Sequence, residues 1–105
     1  MQELIDKIQE LVAFELNRAN TIHPPKFNSY HEAYAVILEE YEEMTAEVEK
    51  LKCHMGGLWN SIKADADERT HSWLEIMEKR AILAAAEAIQ IAAVCRKAGK
   101  VSDDR

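Results

Sequence analysis

The stretch from Tyr34 to Leu51 constrains the fold more than any other part of the chain. Tyr34, Ile37, Leu38, Tyr41, Met44, Val48 and Leu51 recur at spacings of three, four or seven. Sustained over about five turns, that rhythm predicts an amphipathic α-helix. It starts at a capping box, Ser29 followed by Glu32, in which the side chains satisfy free amides of the first turn. Gly56 and Gly57 predict its end, because consecutive glycines weaken a helix and readily take the left-handed turn that closes one.

The same rhythm recurs on either side. Leu4, Ile5, Ile8, Leu11, Val12 and Leu16 predict a helix over 2–18, within an N-terminal segment 1–19. Pro24 and Pro25 cannot continue a helix and disfavour it in the residues before them, so 20–28 reads as a loop. Leu58, Trp59 and Ile62 predict a short helix within 58–71. A last long helix starts at Ser72, with Glu75 three residues on, and runs through Trp73, Met77, Ala81, Ala84, Ala88, Ile91, Ala92 and Cys95 towards Gly99. Its alanines let another helix approach closely. The motif-bearing helices thus lie within 29–98, and the polar end, 99–105, is expected to fray. No strand signal interrupts this order, so the expected fold is all-α, an antiparallel bundle of about four helices.

At 105 residues with 48% apolar content the chain is one domain's worth. A net charge of -6 and a pI near 5.2 argue against coating a nucleic acid polymer or anionic lipid, which calls for clustered basic surface. Cys53 and Cys95 lack metal or redox spacing and are expected to be reduced thiols. No window approaches the ~18 apolar residues of a membrane span, and the N-terminus lacks a leader's apolar core. The expected location is cytoplasmic, away from membranes.

Glu39, Glu40, Glu42, Glu43 and Glu47 crowd into nine positions of one helix with no lysine or arginine among them. Like charges three or four apart cost roughly 0.2–0.5 kcal/mol per pair, so either solvent absorbs the repulsion or a cation does. With residues about 100° apart and Tyr41 at the centre of the apolar face, Glu40, Glu43 and Glu47 share one flank with Val36. Glu39 and Glu42 point elsewhere. On the last helix, centred on Ala88, the corresponding flank carries Arg80, Leu83, Glu87, Gln90 and Val94. If the two stripes pack, Glu40, Glu43, Glu87 and Gln90 converge at the rim of the core. Carboxylates from facing helices are a way to bind a hard divalent cation such as Mg2+; the alternative is a solvated acidic face.

The stretches HEAYAVILEEYEEMTAEVEKL and EKRAILAAAEAIQIAAVCRKA resemble the MazG-like all-α nucleotide pyrophosphohydrolase superfamily, especially its small phage and prophage members. The resemblance covers roughly 27–98. The family pattern is EExxE on one helix and ExxD on a later one. Glu39, Glu40 and Glu43 match the first. Glu87 opens the second, with Gln90 where the pattern has aspartate, and the interval between the motifs is longer than the family's.

The resemblance implies hydrolysis of a nucleoside triphosphate to the monophosphate and pyrophosphate, with Mg2+, or Mn2+ in its place, held by Glu40, Glu43, Glu87 and the Gln90 carbonyl. It implies Glu39 as the catalytic residue that activates water. Arg80, Arg96, Lys97 and Lys100 are candidates for holding phosphates, the last three also suiting a helix C-terminal dipole. A homodimer or homotetramer is the implied assembly. Two rival readings stand beside this one: a degenerate relative kept as a helical binding module, and a coiled-coil-like structural protein. His54, His71 and the cysteines match no zinc spacing, and His31, just inside the second helix, suits a surface histidine or a nucleotide contact. Tyr34, Tyr41, Trp59 and Trp73 suit a core or subunit interface, or a base to stack on.

Overall fold

The structure, a computed structural model, describes residues 1–99. Three helices account for most of them: α1 (Gln2–Ile22), α2 (Tyr30–Lys63) and α3 (Asp67–Ala98), with no strand among the described residues. The fold is all-α, with three helices in place of the expected four. Lys100 and the tail beyond Gly99 lie outside the described residues.

α1 runs past Leu16 to Ile22 and stops where Pro24 dictates. His23 is extended, at φ -120° and ψ 162°, and its N–H closes the last turn on the Ala19 carbonyl at 2.9 Å, the conformation a following proline favours. At the start of α2 the Ser29 hydroxyl accepts the Glu32 N–H at 3.1 Å. The return half of the capping box differs from expectation: the Glu32 carboxylate accepts from Asn28 Nδ2 at 2.9 Å.

Gly56 and Gly57 do not end α2. Neither has a positive φ, and the helix continues to Lys63. A Cβ built on Gly57 would overlap the Trp73 indole, whereas one on Gly56 meets nothing within 4 Å. Gly57 is therefore a close-approach residue: it lets Trp73 of α3 lie against the backbone of α2.

The turn comes at 64–66. Asp65 is left-handed at φ 52°, a conformation aspartate tolerates better than most residues. Its N–H bonds to the Ile62 carbonyl at 3.1 Å and that of Ala66 to the Ser61 carbonyl at 3.0 Å, the paired bonds of a Schellman ending. Buried Ser61 and half-buried Thr70 then join their hydroxyls at 2.8 Å across the turn. The expected short helix 58–71 is divided between the end of α2, the turn and the start of α3. Ser72 sits inside α3, its hydroxyl bonded back to the Glu68 carbonyl at 3.1 Å, a bond open to a mid-helix serine.

The chain forms two compact units. One comprises Met1–Tyr41 with the chain from Glu87 onward, the other Glu42–Ala86. Among the described residues, the buried hydrophobic ones, Val12, Phe27, Ala33 and Ala93, are all in the first unit, with Val36, Val94 and Ala98 packed around Phe27 and Ala33. The second is a helical hairpin with Trp73 against Gly57 and 5.3 Å from the His54 ring. It buries no hydrophobic side chain fully.

The expected apolar stripe of α2 faces inward only in part: Ile37, Met44 and Leu51 are half-buried, and the rest of it is exposed. Tyr34 is 66% exposed, Tyr41 53% and Trp59 58%, and Leu38, Val48, Met55 and Ile62 are exposed with them. The inward face of α2 runs instead through Ala33, Val36, Glu40, Met44, Glu47, Leu51, His54, Leu58 and Ser61. These positions too are spaced by threes and fours, so α2 carries two stripes, and Glu40 and Glu47 belong to the inner one. α1 is similar: Val12 is buried while Leu4, Ile5, Ile8, Leu11 and Phe14 are exposed.

Candidate metal and ligand site

Helical spacing brings one acid from each of α2 and α3 together in the first unit. Glu40 and Glu87, both half-buried, offer carboxylate oxygens no more than 4.8 Å apart. Glu43, one turn further along α2, is exposed and belongs to the second unit. Gln90 joins Glu40 and Glu87 from α3. With its amide turned so that donors meet acceptors, Nε2 donates to Glu40 Oε2 at 2.8 Å and to Glu87 Oε2 at 3.1 Å; the opposite rotamer would set the carbonyl against the carboxylates. Gln90 thus bridges the two acids with the hydrogens of one nitrogen.

The carboxylate set suits a hard cation, with one adjustment. Two oxygens bound to Mg2+ at about 2.1 Å stand about 3.0 Å apart at adjacent octahedral corners and about 4.2 Å apart at opposite ones, so carboxylates within 4.8 Å of each other would draw together on binding an ion. Gln90 must do more. It presents donors to the carboxylates, and ligating a metal requires turning its carbonyl inward.

Beside Glu40 and Gln90 the first unit contains a cleft of about 330 Å³, at the lower end of the range for small-molecule sites. Pro24, Phe27, Val36 and Val94 form its apolar walls, and Arg18, Lys26 and Lys97 bring positive charge to it. Arg18 is forked onto Glu15, Nε to Oε2 at 2.9 Å and Nη2 to Oε1 at 2.6 Å. That hydrogen bond holds the Glu15 carboxyl below its ordinary pKa against the opposing effect of burial, and the same bond raises that of Arg18. Lys97 is only 7% exposed, its ammonium 4.4 Å from the centre of the Phe27 ring.

Other expected site residues lie elsewhere. Glu39 is exposed and belongs neither to the acidic group nor to the lining of the cleft. Arg80 is in the second unit, where Nη1 meets Glu47 Oε2 at 3.3 Å, so Glu47 is neutralised by an arginine and, at 3.5 Å, by Lys50. Arg96 is exposed at the end of α3 and does not line the cleft. Of the expected phosphate-holding residues that are described, Arg80, Arg96 and Lys97, the last alone lines it. Arg18 and Lys26 were not among the sequence candidates. The Glu15–Arg18 spacing signals an ion pair on α1, and Lys26 follows two prolines that hold the loop, but neither pattern says what these residues face. Cys53 and Cys95 are free and exposed, and no described helix is long and apolar enough to cross a membrane.

Comparison with family models, with curated proteins and with solved structures finds no match for this chain.

Proposed function

We propose that the chain is a MazG-like, Mg2+-dependent nucleoside triphosphate pyrophosphohydrolase of the cytoplasm, acting as a homodimer or homotetramer. The observation that carries this reading is the meeting of Glu40 and Glu87, from two helices far apart in sequence, beside a cleft that also holds a buried lysine. Glu40, Glu43 and Glu87 are the metal ligands in this reading, with the Gln90 carbonyl as a neutral fourth. Bound Mg2+ supplies charge neutralisation along the phosphates and helps orient the attacking water. Glu39, exposed beside Glu40, is the residue assigned to accept a proton from that water, a task that needs only hydrogen-bond reach.

The test is pyrophosphate release from a panel of ribo- and deoxyribonucleoside triphosphates with Mg2+. Turnover that falls by a factor of a hundred or more in Glu40→Gln and Glu87→Gln supports the reading. Folded protein that hydrolyses no triphosphate refutes it.

One observation favours a second reading, a helical binding module without chemistry. The Gln90 amide already satisfies both carboxylates without a cation. Calorimetric titration with Mg2+ and a non-hydrolysable triphosphate separates the two, since the module gives heat with neither.

Self-association is inferred from the outer face of α2. Tyr34, Tyr41, Val48, Met55 and Ile62 repeat every seven residues, Leu38 and Trp59 sit between them, and all are exposed. A strict seven-residue apolar seam is the pattern by which helices supercoil on one another. Sedimentation velocity tests this: wild type is expected to run as a dimer or tetramer and Tyr41→Lys/Trp59→Lys as a smaller species. A monomeric wild type refutes it.

A further inference from the structure

We propose that the outer face of α2 receives the same face of a second copy of this chain running antiparallel to it, so that the acidic half of each helix lies over the basic half of the other. The inference rests on the self-association read above and adds the partner's orientation, which the apolar row alone leaves open. That row, Tyr34, Tyr41, Val48, Met55 and Ile62, repeats every seven residues and is exposed throughout, long enough for another helix to follow it as a supercoil. The charges of α2 are divided along it. Over 30–49 the helix carries seven glutamates and no lysine or arginine; over 50–63 it carries three lysines and no acid. The border falls beside Val48, the middle residue of the row.

The charges stand where a partner meets them. Glu42, Glu49 and Lys63 are exposed one position beyond Tyr41, Val48 and Ile62, and exposed Lys52 lies one turn from both Val48 and Met55. Lys63 sits over the exposed Trp59 ring, its ammonium 5.7 Å from the ring centre, which puts positive charge on the apolar face itself. A parallel pair sharing this row brings Glu42, Glu49, Lys52 and Lys63 each against its own copy, and like charges facing across a seam disfavour that pairing. An antiparallel pair centred on Val48 sets Tyr34 opposite Ile62 of the partner subunit and Tyr41 opposite Met55 of the partner subunit, with glutamates facing lysines towards both ends. The acidic, tyrosine-bearing half calls for a basic apolar helix, and 50–63 of a second copy supplies one, with Met55, Trp59 and Ile62 exposed. Each copy gives both halves and takes both, so the contact is isologous and closes at two copies.

The experiment is spin-label distance measurement on the full chain carrying Cys53→Ser and Cys95→Ser, labelled at one introduced cysteine at a time. Antiparallel pairing gives line broadening from a close pair at Val48→Cys, and about 42 Å between labels at Tyr34→Cys and again at Ile62→Cys, fourteen residues of helix at about 1.5 Å each on either side of the axis. Close pairs at all three positions mean parallel helices and overturn the proposal, as does a dimer with no close pair at position 48. Sedimentation equilibrium tests the charges. Lys52→Glu/Lys63→Glu, its fold checked by circular dichroism, is expected to raise the dimer Kd at least tenfold, and adding Glu42→Lys/Glu49→Lys protein to restore association as a mixed pair; an unchanged Kd overturns the charge match. Failure here is separable from failure of the reading it rests on. A monomeric wild type removes self-association and orientation together, whereas a dimer with close labels at Tyr34→Cys keeps self-association and removes the orientation alone.

Discussion

Gln90→Glu changes almost nothing in shape and reverses the electrostatics at one point. The amide nitrogen that donates to Glu40 at 2.8 Å and to Glu87 at 3.1 Å becomes an oxygen facing two other carboxylates. Two hydrogen bonds to charged groups are lost, each worth about 1.5–3 kcal/mol. Repulsion replaces them: at about 4 Å, after the oxygens relax apart, a like-charge pair costs about 1 kcal/mol in bulk water and about 4 at an effective dielectric of 20. The group has an escape, since protonating one glutamate at pH 7 costs about 3.7 kcal/mol, which caps the repulsive part. The half-exposure of all three side chains favours the lower values, so a net cost of about 2–4 kcal/mol is expected without metal. For a domain of this size that lowers Tm by roughly 10 °C or more.

Mg2+ should return most of that loss, because the variant offers a third anionic ligand where wild type offers a neutral one. Binding at a hundred times Kd stabilises by about 2.7 kcal/mol. Thermal unfolding followed by far-UV circular dichroism, in EDTA and in saturating Mg2+, reads both quantities. A variant that melts with wild type in EDTA would show that the amide does not bridge Glu40 and Glu87. A variant destabilised in EDTA but indifferent to Mg2+ would show that the acids are no cation site.

Adjacent glycines are expected to respond with opposite signs. Gly56→Ala meets open space and should stabilise by about 0.5–1 kcal/mol through helix propensity; Gly57→Ala must displace the Trp73 indole and should destabilise by about 1–3 kcal/mol. Urea unfolding of both checks this, and a stabilising Gly57→Ala would mean that Trp73 does not lie there. Glu15, its carboxyl held low by Arg18, contributes stability that is present above its ordinary pKa near 4.5 and lost as pH falls through the lower folded value. A carbon-detected titration should find its midpoint below 4.5, and Arg18→Ala should bring it back up; an unmoved midpoint would exclude the pair.

The helices were legible because their information is local. Ser29 caps, Pro24 stops, and threes and fours mark a helix whichever face is inward. What a periodicity does not encode is which of two stripes turns to the core. On α2 the aromatic row outscores the inner row in hydrophobicity, yet the inner row packs, since Ala33 and Val36 fit against Phe27 and Val94 where tyrosines would not. Glycine misleads for a related reason. It serves both left-handed turns and close approach, and the residue that decides between them at Gly57 is Trp73, sixteen positions on. The true turn at Asp65 carries no glycine.

The candidate site divides along the same line. Glu40, Glu87 and Gln90 share a neighbourhood because each lies on a rigid helix whose own angles place it, and those angles can be worked out from spacing. Arg18 and Lys26 reach the cleft through the packing of α1 and the loop after it, which no repeat in the sequence describes. The crowded acids of α2 then resolve one by one into different answers: Glu47 has Arg80 and Lys50, Glu40 has Gln90, and Glu39 and Glu42 are exposed. Repulsion along the helix is thus relieved in pieces, and the Glu40–Glu87 meeting brings two carboxylates from different helices onto one neutral donor. A cation competes there with an amide. The cost of turning Gln90 therefore enters the Mg2+ affinity directly, and aspartate at position 90, with no donors to give up, should bind the ion more tightly than glutamine does.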